Sequence, residues 1–135
     1  MTKVLLAYDG SESARRALDR LVEMHQAGDE VTVISVALLQ AGGPRSGGVD
    51  PVENVDKHRA ELNEAKELLA AKGIQPQIVE GVGDAGDLIV KEAEKLGTGR
   101  IVVGSRGLSG PKRMLLGSVS GHVVHHAACD VLVVH

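Results

Sequence analysis

The stretch RIVVGSRGLSGPKRMLLGSVS, residues 100–120, decides how this chain is read. It opens as an apolar run, RIVV. It then passes through the glycine- and serine-rich segment Gly104–Ser118 and leaves as a helix-like pattern, SVSGHVVHHAA. Glycine loses more conformational freedom on folding than any other residue. A strand-to-helix connection built from it therefore implies unusual backbone geometry or close approach of a ligand.

The rest of the chain repeats the strand-then-helix unit. KVLLAY (Lys3–Tyr8), VTVISVAL (Val31–Leu38), PQIVE (Pro76–Glu80), RIVVG (Arg100–Gly104) and VLVV (Val131–Val134) read as strands. They are rich in Val, Leu and Ile with little alternation, the pattern of strands covered on both faces. Between them lie four stripes with helical spacing. The first is Ala14, Ala17, Leu18, Leu21 and Val22, and the second is Val55, Leu62, Ala65 and Leu69. The third is Ala85, Leu88, Ile89, Ala93 and Leu96, with Gly97 as a stop, and the fourth is Val119, Val123 and Ala127. Strict alternation of strand and helix implies an α/β fold, a doubly wound parallel sheet with helices on both faces. The strand-to-helix loops Asp9–Ser11, Leu39–Pro51, Gly81–Gly86 and Gly104–Gly117 then share the C-terminal edge of the sheet, where such folds bind ligands. A single domain over residues 1–135 is expected, with a flexible loop at about 40–52, QAGGPRSGGVDP and its flank.

Composition narrows the function. There is no Phe or Trp and Tyr8 is the single aromatic, so stacking platforms for single-stranded nucleic acid are disfavoured. The formal net charge is −3 and no long basic run occurs, which argues against nucleic acid and anionic membrane as partners. No apolar stretch approaches the ~20 residues of a membrane span. The start MTKVLLAYDG carries no signal-peptide pattern, and the lone Cys129 has no internal disulfide partner. A cytoplasmic protein is expected.

A glycine turn followed by a helix N-terminus offers free backbone N–H groups and a favourable helix dipole to an anion. Gly117 and Ser118 stand at that helix start, Ser118 as N-cap or hydroxyl donor. Arg106, Lys112 and Arg113 add positive charge. Phosphate binding is preferred over a purely structural turn. Two established phosphate loops do not fit. Gly110 is followed by Pro111 and Lys112, which breaks the Walker A pattern. Gly104, Gly107 and Gly110 follow the fourth strand and lack the G-x-G-x-x-G spacing. Ser46–Asp50, SGGVD, has the core of a pyrophosphatase-type ATP loop but lies after the second strand and is read as linker.

Gly104, Gly107, Gly117 and Ser118 do reproduce G-x2-G-x9-G-[ST]. Together with AYDGS (Ala7–Ser11), VVGSRG (Val102–Gly107), LLGSVS (Leu115–Ser120) and the closing VLVV, this resembles the ATP-binding branch of the universal stress protein family over the whole chain. The resemblance implies a five-stranded parallel sheet of order 3-2-1-4-5, with its switch point between strands 1 and 4. It implies that Asp9 contacts the ribose or the metal–phosphate region, that backbone groups at Val36 read adenine, and that Gly104 approaches the ribose. Arg106, Gly107, Gly117 and Ser118 would hold the phosphates, with Ser105 and Ser109 as weaker candidates. The implied ligand is ATP, with ADP and AMP also suited to the loop, accompanied by Mg²⁺ for which Asp9 is the candidate protein ligand. The resemblance also implies a homodimer through the last strand, and Val131, Leu132, Val133 and Val134 form an apolar edge that invites such pairing. Two positions depart from the family pattern. Arg100 stands where an acidic residue is common before the fourth strand, and Asp130 where proline is common before the fifth.

Catalysis has less support. Asp9 is the single acid expected beside the phosphates, Arg106 or Lys112 could stabilise developing charge, and no residue is assigned as catalytic. A nucleotide-dependent stress sensor or effector with little or slow hydrolysis is the leading reading. A slow ATPase or autophosphorylating enzyme and a nucleotide-free scaffold are the alternatives. His122, His125, His126 and Cys129 form i,i+4 pairs on the last helix. The pairs diverge around it, so solvent-facing histidines and a small buried thiol are preferred to a metal site.

Overall fold

The computed structural model describes residues 2–37, 51–105 and 117–135. The elements run β1 (Lys3–Ala7), α1 (Glu12–Met24), β2 (Glu30–Ala37), α2 (Pro51–Ala70), β3 (Gln77–Val82), α3 (Ala85–Leu96), β4 (Arg100–Gly104), α4 (Ser118–His126) and β5 (Asp130–Val134). All strand pairs are parallel and the sheet order is β3-β2-β1-β4-β5. The doubly wound α/β fold and its strand order are as the sequence and the family resemblance imply.

Alternate residues of the central strand feed two cores, because successive strand side chains point to opposite faces. Val4, Leu6 and Tyr8 face Ala14, Ala17, Leu18 and Leu21 of α1 and Leu62, Ala65 and Leu69 of α2. Leu5 joins Ile34 and Ile101 under Ile89 and Ala93 of α3 and Val123 of α4. The residues filling these cores are almost all aliphatic, and Tyr8 is the one aromatic among them.

Element boundaries follow local chemistry. Ser11 caps α1, its side chain accepting from the Ala14 N–H at 3.2 Å. Asp84 caps α3 by accepting from the Asp87 N–H at 3.2 Å, and Gly97 ends that helix at φ 67°, in the left-handed region that favours glycine. Pro51 opens α2, a position where its missing N–H costs nothing. The expected 40–52 loop thus ends two residues early, and its positions 40–50 lie outside the described residues. β3 excludes Pro76 and continues to Val82, because Gly81 and Val82 pair with Val36 and Ala37.

The two departures from the family pattern are neighbours. Arg100 and Asp130 are register partners at the starts of β4 and β5, opposite charges on adjacent strands.

Candidate functional site

The strand order brings the end of β1 beside the end of β4. Asp9 follows β1, and Gly104 and Ser105 end β4. Gly117 and Ser118 open α4 at the same edge. The Gly117 N–H donates to the Ser105 carbonyl at 2.6 Å, and the Ser105 N–H donates to the Val134 carbonyl of β5 at 2.7 Å. Ser120, only 2 % exposed, donates its hydroxyl to the Ser105 carbonyl at 3.0 Å, with the Gly117 carbonyl at 3.2 Å. The two ends of the glycine-rich excursion are therefore tied to each other and to β5. Arg106, Gly107 and Ser109 lie outside the described residues.

Each described candidate has a local reason for its identity. Gly104 is required by packing. A Cβ built there would stand 2.6 Å from Ser13 Oγ, 2.8 Å from the Ser13 carbonyl carbon and 2.9 Å from the Ala14 nitrogen. The start of α1 thus lies directly on the end of β4, and this close approach explains the glycine without a ligand. Ser105 is buried and belongs to the tied stem. The α4 N-cap is Gly117, with no side-chain cap bond, so Ser118 is the first helical residue and is exposed rather than the cap. Asp9 does not cap α1. Its Oδ1 accepts the Ser11 N–H at 2.9 Å, folding the Asp9–Ser11 turn, with Gly10 at φ 77°. Val36 sits near the C-terminal end of β2, in register with Gly81.

A polar cluster at this edge went unread in the sequence. Ser35 of β2 is 2 % exposed, and its Oγ lies 2.7 Å from His58 Nδ1 of α2. The same Nδ1 lies 2.9 Å from Glu61 Oε2. Glu61 is buried and packs against Gly10, where an added Cβ would meet its Cγ at 3.4 Å and Oε1 at 3.6 Å. Burial pushes the Glu61 carboxyl up. His58 and Lys57 pull it down, and Asp9 adds to the rise. A Ser-His-acid relay uses both ring nitrogens, one for each partner. Here both partners share Nδ1, so the cluster is not arranged as a nucleophilic triad. An i,i+3 His–Glu pair on the buried side of a helix, facing a serine within the run VISV of β2, was the available signal.

The α4 histidines divide. His125 and His126 are exposed, whereas His122 is half-buried over Gly86 of α3. His122 Nε2 lies 2.9 Å from Asp87 Oδ1, so an acid reaches this group from another helix, contrary to what spacing along the chain suggests. His122 and His126 stack face to face at 4.1 Å. Cys129 is half-buried, and burial pushes its thiol up. Among the described residues no group of three His, Cys, Asp or Glu side chains could hold a metal ion, and no helix is long and apolar enough to cross a membrane.

The model of the universal stress protein family matches residues 1–135. The chain belongs to the universal stress protein family. A curated universal stress protein from Bacillus subtilis, YxiE, is 35 % identical over 144 residues, covering 98 % of this chain and 97 % of its own. Among solved structures, hypothetical protein MJ0577 superposes with a TM-score of 0.86 at 28 % identity, covering 98 % of this chain and 94 % of that one. A universal stress protein in complex with cAMP superposes with a TM-score of 0.76 at 30 % identity, covering 99 % and 97 %.

Proposed function

We propose that this universal stress protein binds ATP at the C-terminal edge of its sheet. It would act in the cytoplasm as a nucleotide-dependent stress-response sensor or effector, with little or slow hydrolysis. The observation that carries this reading is the tied stem at Ser105 and Gly117, which holds the N-terminus of α4 at the end of β4, the strand next to β1. The free N–H groups of a helix start suit phosphate. Gly117, whose own N–H is bonded to the Ser105 carbonyl, and the exposed Ser118 hydroxyl would border the phosphate, and Arg106, Gly107 and Ser109 would complete the loop by resemblance. The backbone at Val36 would read adenine, and Gly104 would border the ribose. A structural neighbour is a complex with cAMP, which supports an adenine nucleotide here. ADP and AMP suit the same groups.

Asp9 fits a nucleotide-borne Mg²⁺. The ion binds through one or two carboxylates plus phosphates and water, and Asp9 is a half-exposed carboxylate fixed at the phosphate edge by its bond from Ser11. When bound, the ion would neutralise phosphate charge. Binding is favoured over catalysis because the His–Glu–Ser cluster lacks the geometry of a relay, and no catalytic residue is assigned.

The β5 edge, Val131–Val134, bonds to β4 on one side and ends the sheet on the other. Pairing of two copies through it would give a homodimer. Light scattering on purified protein would test that, a monomer at micromolar concentration counting against it.

The nucleotide reading is tested by extracting ligand from purified, denatured protein and by calorimetric titration with ATP, ADP and AMP in the presence of Mg²⁺. Carried-over adenine nucleotide or saturable binding is expected. Failure to bind any adenine nucleotide would return the chain to the scaffold reading. Labelled phosphate released or transferred to protein on the timescale of a turnover would move it to the ATPase or autokinase reading.

A further inference from the structure

We propose that a second binding site lies at the N-terminal edge of the sheet, opposite the edge assigned to nucleotide, and that it takes a small organic monocarboxylate with the Arg100 guanidinium as counter-charge. This site is separate from the nucleotide one and stands whether or not nucleotide binds.

The strands start side by side at this edge. Val4 of β1 is in register with Arg100 of β4 on one side and with Val31 of β2 on the other. The C-terminal end of α1 packs over them and leaves a cleft of about 520 Å³, whose walls include Met24, His25, Asp29 and Arg100. Small-molecule sites span about 300–1,000 Å³. Beneath the cleft, the buried side chains of Val4, Leu21, Val31 and Val102 close the floor and leave only about 10 Å³, room for about one water. A ligand therefore lies in the cleft against Met24, which is 39 % exposed, and does not enter the core.

The carboxylates at the cleft already have partners. Glu23 is paired with Arg20 at 3.3 Å. Asp29 accepts the Thr2 and Gln26 N–H groups, one on each oxygen. Arg100 differs. It is half-buried, and among the described residues its guanidinium makes no ion pair or hydrogen bond. No ion pair joins it to Asp130, its exposed register partner on β5. A guanidinium is a planar fork of donors whose matching partners are carboxylate and phosphate oxygens. His25 adds a second open group, because its Nδ1 is buried and has no hydrogen-bond partner among the described residues. Buried polar atoms are rarely left so. A turn of this ring toward a ligand oxygen would supply the bond.

The surroundings choose between the two anions. The negative end of the α1 dipole, with no basic residue in its last turn, and the Asp29 carboxylate both oppose anionic charge. One guanidinium balances one negative charge. A phosphate carries about −1.5 to −2 at neutral pH, and the excess would stand unbalanced beside Asp29. A monocarboxylate brings a single charge, two oxygens for the fork and a hydrocarbon body to lie on Met24.

Amide NMR of the full chain tests this, with titrations of butyrate, its uncharged isostere butyramide and inorganic phosphate. Butyrate is expected to give saturable shifts at Met24, His25, Gln26, Asp29 and Arg100. Butyramide and phosphate should bind more weakly. Arg100→Gln keeps a polar side chain and removes the charge, and it should weaken butyrate about tenfold or more, the worth of a hydrogen bond to a charged group. Should that variant fail to fold, the ranking of the three probes on the full chain decides. Butyramide binding as tightly as butyrate overturns the proposal, as does phosphate binding more tightly. Unchanged butyrate affinity in folded Arg100→Gln, shifts centred on the N-terminus of α4, or no saturable shift at all would each overturn it too.

Discussion

The Gly117 N–H and the Ser105 carbonyl meet at 2.6 Å, so the long connection between β4 and α4 begins and ends at one point. Loop closure is the entropic cost of such an excursion, and here the closing bonds lie in the described stem. Ser120 adds a buried hydroxyl to the same carbonyl.

Ser120→Ala should therefore loosen the stem. Removing one buried hydroxyl bond costs about 0.5–1.5 kcal/mol. The Ser105 carbonyl keeps its bond from Gly117, which holds the loss within that range. Urea unfolding is expected to give a lower midpoint with an unchanged slope. If nucleotide binding needs a fixed stem, ATP affinity falls in the same variant. A midpoint equal to that of the full chain would mean that Gly117 alone closes the loop.

Gly104→Ala tests whether that glycine serves packing. The new Cβ would be driven against the α1 backbone at Ser13 and Ala14, atoms that cannot swing aside as a flexible side-chain end would. Overpacking of this kind costs about 1–3 kcal/mol. The contrast is Gly121→Ala. Gly121 lies inside α4 with nothing within 4 Å of a built Cβ, so alanine should stabilise by about 0.5–1 kcal/mol. Opposite shifts in unfolding midpoint are expected for the two variants.

The fold was legible because strand and helix announced themselves by period and by Val, Leu and Ile content. Gly97 also marked a helix end through chemistry that acts within a few residues. Of the proposed site, the strand order puts Asp9 after β1 and Gly104 at the end of the neighbouring β4, and Gly117 and Ser118 open α4. What escaped were contacts made in three dimensions. Ser35 meets His58 across a 23-residue separation, and Glu61 is one of several charged residues of α2 outside its apolar stripe. Asp87 reaches His122 because Gly86 lets the α4 ring settle onto α3. Gly104 looked like a ligand-facing glycine, yet its nearest neighbour is α1.

Tyr8 gives a single-residue probe, since the chain has no other aromatic side chain of the Phe, Tyr or Trp kind. Its hydroxyl donates to Glu64 Oε1 at 3.0 Å, and burial pushes the phenol up to about 12, with Glu64 reinforcing the rise and Arg15 opposing it. The native phenol stays protonated where an unfolded one, near its ordinary value of about 10, has ionised. Stability is therefore lost as pH rises from the ordinary value toward the native one. Absorbance of tyrosinate should stay low past the ordinary midpoint and then rise, in step with unfolding if that comes first. A midpoint at the ordinary value would place Tyr8 in solvent.

Asp29 acts on the acid side. Its Oδ1 accepts the Thr2 N–H at 2.9 Å and its Oδ2 accepts the Gln26 N–H at 3.0 Å. These backbone bonds hold its carboxyl below the usual carboxylate range. A depressed native value contributes stability that is complete above the ordinary value and is lost as pH falls through the native one. Asp29→Asn keeps one acceptor oxygen of two. It should be less stable than the full chain near neutral pH, and the difference should shrink in acid. Parallel acid-unfolding curves would show that the charge contributes nothing.

Ser118 separates a structural helix start from a phosphate site. Gly117 is the N-cap and Ser118 is the exposed first residue of α4, so its hydroxyl makes no cap bond. Ser118→Ala removes no described stabilising contact, and surface changes of this sort stay within about 0.5 kcal/mol. A hydroxyl that donates to a charged phosphate, by contrast, is worth about 1.5–3 kcal/mol, which is about tenfold or more in affinity. The expected outcome is an unfolding curve superimposable on that of the full chain together with a tenfold or greater loss of ATP affinity. Loss of stability with unchanged affinity would mean that Ser118 serves the helix. Unchanged affinity and stability would move the phosphate contacts to the backbone N–H groups of α4, whose geometry the substitution leaves intact.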